Sequence, residues 1–324
     1  MNIPTDRPSR GVFRFTVPAE RQGERLDQFL AGHHAGLSRG LARCLIDLGG
    51  VHLDGRRISR CSLLVAAGQQ IELYIDGLPL TPFELREEHI LWRDRHLLAI
   101  AKPAGVATQP TPARYRGTIY DALRRLLLAG QSGGRQPSIG MVQRLDRDTS
   151  GVMVFSIHPA AHKGLSRLFH ERLVDKTYLA LVGGELTEDS GQFRSLLARR
   201  RSTNRTVSVA RGGRYAETGF RVRQRLAGAT LVEVRLTTGR THQIRAHFAE
   251  AGHPLLGDRD YGGLSELAGV TLPRQMLHSS RLALIHPVTG QPLGLSAPLA
   301  ADFRAVLQQL GVPGQAVEPY VTGE

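Results

Sequence analysis

The chain has 324 residues, with 42 Lys and Arg against 29 Asp and Glu, a formal net charge of +13, 41% hydrophobic and 22% charged residues. That balance is ordinary for a globular protein and excludes wholesale disorder, and no run approaches the roughly 18 apolar residues of a membrane-spanning helix. The positive surplus favours a polyanionic partner, nucleic acid ahead of an anionic membrane surface.

Residues 1–20 are polar and Pro-containing and read as a loose arm, without the apolar stretch of a signal peptide, so a cytoplasmic protein is expected. Leu26, Phe29 and Leu30 have helical spacing. Ser38 is placed to cap a second helix, with Leu41, Leu45 and Leu48 on one face and Gly49 ending it. Arg39 and Arg43, one turn apart, form a basic stripe beside that face. Val51 to Leu53 leads into the Asp54-Gly55 turn, and Gln70 to Ile75 alternates as a strand. These pieces predict a compact α/β module over 24–76, with 77–89 as linker. The two cysteines, Cys44 and Cys61, form neither a metal-spaced cluster nor a disulfide framework.

A larger domain is predicted over 90–310, with 311–324 as a tail. Leu91 to Ile100 reads as a strand broken by Lys102-Pro103-Ala104-Gly105. Met141-Val142 and Val152 to Phe155 are apolar runs flanking a polar loop. Pro159 opens a helix whose Ala161, Leu165, Leu168 and Phe169 share a face. Val232, Val234 and Leu236 alternate with charged residues, and Thr241 to Ala251 reads as a helix before Gly252. Strands outnumber helices without regular βαβ alternation, so the predicted class is α+β: a mixed, largely antiparallel sheet preceded by the small α/β domain.

Phosphate-loop, dinucleotide-binding, zinc-protease and serine-hydrolase signatures are absent, and the 13 histidines are scattered, so neither a metal nor a cofactor is expected. The loop Gln143 to Gly151 holds Asp146 between Arg144 and Arg147, which favours an ionised carboxylate available as a nucleophile. Spacing alone prefers an ordinary turn there, with Asp148 or Thr149 bonding local backbone. Gly239 to His247 places Arg240, His242 and Arg245 around a helix start, an anion-friendly terminus; the alternative is a solvated basic first turn, disfavoured because cationic side chains oppose the helix dipole there. Tyr178, in Asp175 to Ala180, reads on periodicity alone as a packing residue. Arg194 to Arg214 carries seven arginines, among them Arg199, Arg200 and Arg201, and no acidic residue; a solvated face is the usual explanation of such a run, but its glycines and Ser202, Thr203 and Asn204 suit a mobile loop gripping phosphates.

Taken together these segments resemble the RluA-type family of pseudouridine synthases. The resemblance spans about 90–310 and rests on Lys102-Pro103-x-Gly105, Arg144-Leu145-Asp146-x-x-Thr149-Ser150-Gly151 and Lys176-x-Tyr178-x-Ala180. It continues through Gly239-Arg240-x-His242-Gln243-Ile244-Arg245-x-His247, Gly252-His253-Pro254-x-x-Gly257-Asp258, His278-Ser279, His286-Pro287-x-Thr289-Gly290 and Ala297-Pro298. Gln143 departs from the family, which has His before Arg-Leu-Asp. The module at 24–76 resembles an S-four-type RNA-binding domain, with Gly68-Gln69 where Gly-Asp is typical.

The resemblance implies isomerisation of uridine in structured RNA: the N-glycosidic bond breaks, the uracil turns, and its carbon 5 rejoins the sugar. It implies Asp146 as nucleophile, attacking either base or sugar. Tyr178 would stack on the base and help remove the carbon-5 proton, and Arg245 would keep Asp146 ionised and aimed. Arg144 would enter the gap left by the flipped uridine, and Ile244 would line the base pocket. Ribosomal RNA is the favoured partner and transfer RNA the alternative, with no membrane and no obligate protein partner. A non-catalytic RNA-binding protein and a DNA-binding protein are the rival readings. The intact set Asp146, Tyr178 and Arg245 argues against the first, and comparing RNA with DNA binding separates the second.

Overall fold

In the computed structural model, which describes residues 10–129, 136–203 and 205–312, the first strand is β1 (Gly11–Thr16). It pairs along its length with β4 (Gln70–Ile75), from Gly11 opposite Ile75 to Thr16 opposite Gln70. The expected loose arm is therefore corrected from residue 11 onward; residues 1–9 lie outside the described residues. Phe13 and Phe15 turn inward while Val12, Arg14 and Thr16 face out, the period of a half-buried strand.

Between these strands lie α1 (Leu26–His33), α2 (Arg39–Leu48), β2 (Val51–Leu53) and β3 (Arg56–Ile58), giving a sheet ordered β1-β4-β2-β3. The Ser38 hydroxyl accepts from Leu41 N at 3.2 Å, and Gly49, at φ 88°, ends α2 in the left-handed conformation that glycine adopts without strain. Leu41, Ala42, Leu45 and Ile46 bury against Leu26, Phe29 and Leu30 and against the sheet residues Val51, Ile71 and Leu73. Each of the buried Leu, Ile, Val and Phe side chains contributes about 1.5–3 kcal/mol, which is what holds two short helices on a small sheet.

The chain divides into two units, Met1–Leu85 with Val106–Arg135, and Arg86–Gly105 with Gln136–Glu324. The predicted linker is thus mostly part of the first unit, where Leu85 is buried. The segment after Val106 also returns to that unit instead of joining the larger domain. Arg114 forks onto Asp76 at 2.8 and 3.1 Å, Tyr115 N donates to Leu48 O at 2.7 Å, and Arg57 donates to Thr111 O at 2.6 Å. Helix α3 (Ile119–Ala129) follows, with Asp121 accepting from Gly117 N at 3.0 Å. The partners of Arg114, Tyr115 and Thr111 lie tens of residues away in sequence and leave no local signal.

The second unit is built on an eleven-stranded sheet. It opens with β5 (Ile90–Arg93), β6 (Leu97–Lys102), β7 (Gly140–Met141) and β8 (Ser150–Ser156). The single strand expected over Leu91 to Ile100 is an antiparallel pair, because Asp94 accepts from His96 N and Leu97 N at 2.7 Å each and turns the chain. After α4 (Pro159–His170) come β9 (Asp175–Gly183), β10 (Ser190–Arg200), β11 (Arg205–Ser208), β12 (Arg214–Leu226) and β13 (Ala229–Leu236). Then follow α5 (Gln243–Glu250), the small pair β14 (Glu266–Leu267) and β15 (Val270–Thr271), β16 (Leu277–Ile285), β17 (Pro292–Ser296) and α6 (Ala301–Gln309). The strand order is β11-β10-β12-β13-β9-β16-β8-β6-β5, with β17 on β16 and β7 on β8.

The sheet is largely antiparallel; β8 and β16 run parallel where Ser150 and Gly151 face His278 and Ser279. β8 is buried at all seven positions, between β6 and β16. Helix α4 packs Ala161, Leu165 and Leu168 with strand residues such as Val152, Val154 and Leu282, and α6 packs Phe303, Val306 and Leu307 with Leu179, Leu181 and Leu231. The expected tail begins differently: Val312 is buried as part of that second cluster, and residues 313–324 lie outside the described residues. Among the described residues no helix is long and apolar enough to cross a membrane.

Candidate active site

The loop that enters β8 is held by backbone contacts to charged side chains. Lys102, 1% exposed, donates to Pro103 O, Arg147 O and Thr149 O, each at 2.8 Å. Burial pulls its pKa down to about 7, with the charge of Asp148 opposing. Three acceptors require three protons, which only the ammonium form carries. From the other side Arg274 donates to Asp148 O at 2.9 Å and to the Ser150 hydroxyl at 3.0 Å, and is itself forked onto Asp302 at 2.6 and 2.9 Å. Gln275 adds a bond to the Thr149 hydroxyl at 3.1 Å. A loop gripped this way keeps Asp146 in one place.

Helix α5 brings Arg245 to it. The Arg245 guanidinium is 3% exposed and forks onto Asp258 at 2.6 and 2.7 Å. Its remaining donors reach Asp260 at 3.0 Å and Asp146 Oδ2 at 3.1 Å. Burial works against its charge, but the bonds and charge of Asp258, followed by the charge of Asp146, hold its pKa above the ordinary arginine value. The Tyr261 ring lies under it, 4.9 Å from the guanidinium carbon to the centroid. Asp146 Oδ1 has no protein partner among the described residues, so one carboxylate oxygen is anchored and the other is available.

His242 precedes α5 at φ 53°, a left-handed conformation uncommon for a residue with a Cβ. Its Nε2 lies 3.8 Å from Asp146 Oδ2 and its Nδ1 is 3.1 Å from the Tyr261 hydroxyl. Burial lowers its pKa, with Asp146 opposing. Tyr178 comes from the middle of β9, in register with Val234 on one side and Ser279 on the other. Burial pushes its phenol up to about 12, and the Asp146 charge adds to that, so it stays protonated.

Asp146, Tyr178, Arg245, Arg144, Ile244 and His242 line one pocket of about 60 Å³, with Leu236 and Leu277 supplying apolar wall. Seven residues singled out in the sequence, distributed over 144–245, are thus brought together: Arg144, Asp146, Tyr178, Arg240, His242, Ile244 and Arg245. A carboxylate oriented by a guanidinium, facing a protonated phenol in a partly apolar slot, suits attack on a flat polar ring or its sugar.

The other predicted residues stand elsewhere. Arg39 and Arg43 belong to the first unit and both bind Asp27 Oδ2, at 3.0 and 2.7 Å, while Arg25 takes Oδ1 at 3.1 Å. Burial of Asp27 opposes its charge, and the three guanidiniums outweigh that and hold its carboxyl well below the usual range. The basic stripe is therefore pinned and partly neutralised from below. Arg199 and Arg200 are exposed near the end of β10, opposite Thr206 and Arg205 of β11, and Arg201 is exposed in the turn that follows. The expected mobile loop is largely strand, since alternate residues such as Leu197 and Thr206 turn inward and bury.

Lys102, Asp258, Asp260, Tyr261 and Arg274 were given no role by sequence reasoning. Nothing in their spacing ties them to Asp146; only the strand order does. Asp94, His96 and His286 bring potential ligand atoms within 4.8 Å of one another. The His286 Nδ1 accepts from Val288 N at 3.2 Å and Thr289 N at 3.0 Å, and its Nε2 lies 3.2 Å from Asp94 Oδ2. That arrangement suits a histidine–carboxylate pair better than a cation site.

Comparison with known proteins matches residues 96–250 to the family model described as RNA pseudouridylate synthase. A Chloroflexus aurantiacus protein described as an uncharacterized RNA pseudouridine synthase is 39% identical over 91% of this chain and 92% of its own. The ribosomal large subunit pseudouridine synthase D of Nitrosomonas europaea is 35% identical over 93% of this chain and 89% of its own. Among solved structures, human RNA pseudouridylate synthase domain containing 4 aligns with a TM-score of 0.57 and 25% identity, over 68% of this chain and 92% of that one.

Proposed function

Since this chain belongs to the RNA pseudouridylate synthase family and is a pseudouridine synthase acting on RNA, we propose that it isomerises uridines of ribosomal RNA with Asp146 as the nucleophile. The observation that carries the assignment of Asp146 is the buried Arg245, fixed by Asp258 and reaching Asp146 Oδ2 at 3.1 Å inside the pocket that Tyr178 also lines. Arg245 anchors one oxygen of the carboxylate, and Oδ1 is the atom presented to base or sugar. Attack there would detach the uracil. Tyr178 would support the freed ring with its face and take part in removal of the carbon-5 proton after carbon 5 has rejoined the sugar. Ile244 would pack on the ring, and the exposed Arg144 would occupy the place of the flipped nucleotide, against an unstacking cost of a few kcal/mol.

The ribosomal preference rests on the Nitrosomonas relative's name and on the charge of +13. The first unit would contribute RNA affinity: three guanidiniums on the one Asp27 carboxylate leave a net positive cluster. Arg199, Arg200 and Arg201 would grip phosphates from the exposed end of the β10–β11 hairpin. The test is to map pseudouridines in total RNA from cells with and without the protein. A missing ribosomal site supports the reading. A missing transfer-RNA site moves the substrate, and no missing site refutes the assignment.

A further inference from the structure

Beside the uridine pocket, and sharing Arg144, Tyr178, Leu236 and Arg240 with it, opens a second cavity of about 500 Å³. That volume is within the range of small-ligand sites, roughly 300–1,000 Å³, and larger than a crevice left by packing. Arg144, Arg172, Lys176 and Arg240 line it, and no carboxylate does among its described lining residues.

Three of these cations are uncommitted. The side chains of Arg144, Arg172 and Lys176 have no hydrogen-bond or ion-pair partner among the described residues; the two arginines are exposed, and Lys176 is half-buried. Lys176 is the informative one. It stands two residues from Tyr178 on the same face of β9, about 7 Å along the strand. Burial, then the neighbouring charges of Arg172 and Arg240, pull its pKa down. An ammonium half-buried among guanidiniums, with only the charge of the adjacent Asp175 opposing them, is better accommodated when an anion arrives. Arg172 is held at φ 62° just past α4, a conformation that costs a side-chain-bearing residue energy and aims the chain sharply there.

The second observation is independent of charge. Gln143, the residue that departs from the family's histidine, lines the same cavity, and its Nε2 is buried with no acceptor. A buried amide donor left unpaired is costly and wants an oxygen.

We propose that this cavity is a second nucleotide subsite, which takes the residue of the RNA strand adjacent to the target uridine, its phosphate on Lys176 and Arg172 and one of its oxygens on the Gln143 amide. The proposal rests on the reading of the neighbouring pocket as the uridine site. Gln143 then acts as a specificity-determining residue, since its donor rejects a neighbour that offers no acceptor there.

The experiment measures binding, in the Asp146→Asn background so that no conversion intervenes, of a 15-nucleotide single-stranded RNA with one central uridine. A methylphosphonate replaces each phosphate in turn. One position next to the uridine should weaken binding about tenfold, the loss of one charge-assisted hydrogen bond. In Lys176→Met that same replacement should cost nothing further, and Lys176→Arg should restore the sensitivity. Gln143→Leu should change the preference for the base beside the uridine and leave the response to methylphosphonate position as it was. A uniform response at every phosphate, or an unaltered pattern in Lys176→Met, overturns the subsite. Melting curves of the variants guard against misfolding. If the intact protein makes no pseudouridine in RNA from cells lacking it, the uridine reading fails separately, while the phosphate map still reports on the cavity.

Discussion

Replacing Arg245 with lysine keeps the positive charge and removes the fork, which makes it a sharp test of the catalytic geometry. The guanidinium makes four bonds to three carboxylates: two to Asp258, one to Asp260 and one to Asp146. An ammonium has three donors on one atom and cannot span that arc. The Asp260 bond involves a carboxylate 71% exposed and matters little. What is lost is one arm of the Asp258 fork, fully buried, and the bond that aims Asp146. Each charge-assisted bond is worth about 1.5–3 kcal/mol. A loss of about 2 kcal/mol in alignment of the proposed nucleophile corresponds to a single-turnover rate about 30-fold lower. A similar loss at Asp258 should lower the melting temperature by about 5 °C. The assay is single-turnover pseudouridine formation, with protein in excess over RNA from cells lacking it, read by nucleoside mass spectrometry. An Arg245→Lys protein within about twofold of the unaltered rate would refute the claim that the planar fork positions Asp146.

Asp146→Asn should form no pseudouridine while binding RNA with nearly the same affinity, because the amide keeps the shape and lacks the charge; product at a comparable rate excludes Asp146 as nucleophile. Neutralising Arg199, Arg200 and Arg201 together should reduce the log–log salt slope of RNA binding by about 0.7–0.9 for each phosphate the three side chains hold, and an unchanged slope would leave the hairpin tip out of the interface. His278 is 1% exposed, sits 2.9 Å from the Ser150 hydroxyl, and is held by burial to a pKa of about 4. The unfolded chain takes that proton first, so the protein should lose about 3 kcal/mol as pH falls from about 6.5 to 4, and melting of His278→Gln should be flatter over that window. An identical pH profile in the variant would mean that His278 is not the group responsible. Gly151→Ala should destabilise severely, since a Cβ there would stand 2.1 Å from Ser279 O across the parallel pair; a melting temperature close to that of the unaltered protein would contradict the register of β8 and β16.

The local rules that act over a few residues were legible. Ser38 and Gly49 bound α2 as the sequence indicates, Pro159 opens α4, and Val232 to Leu236 runs as a strand. The α+β class followed from the same periodicities, because period and capping are properties of neighbours in sequence. The β1 strand was hidden by a polar beginning, although Phe13 and Phe15 alternate as a strand should. The site residues Asp146, Tyr178 and Arg245 were named through motifs that resemble a family; their chemistry by itself offered a turn, a packing phenol and a basic helix start.

Tertiary structure decided what those three groups can do. The pairing of β9 between β13 and β16, and of β16 beside β8, sets Tyr178 and the Asp146 loop next to one another. The return of Val106–Arg135 to the first unit, the hold of Lys102 and Arg274 on the loop, and the Asp258 fork behind Arg245 are also its work. Hydrogen bonds and ion pairs between residues tens to more than a hundred positions apart have no period and no spacing rule. Sequence names the groups, and the strand order fixes the distances on which their charges act.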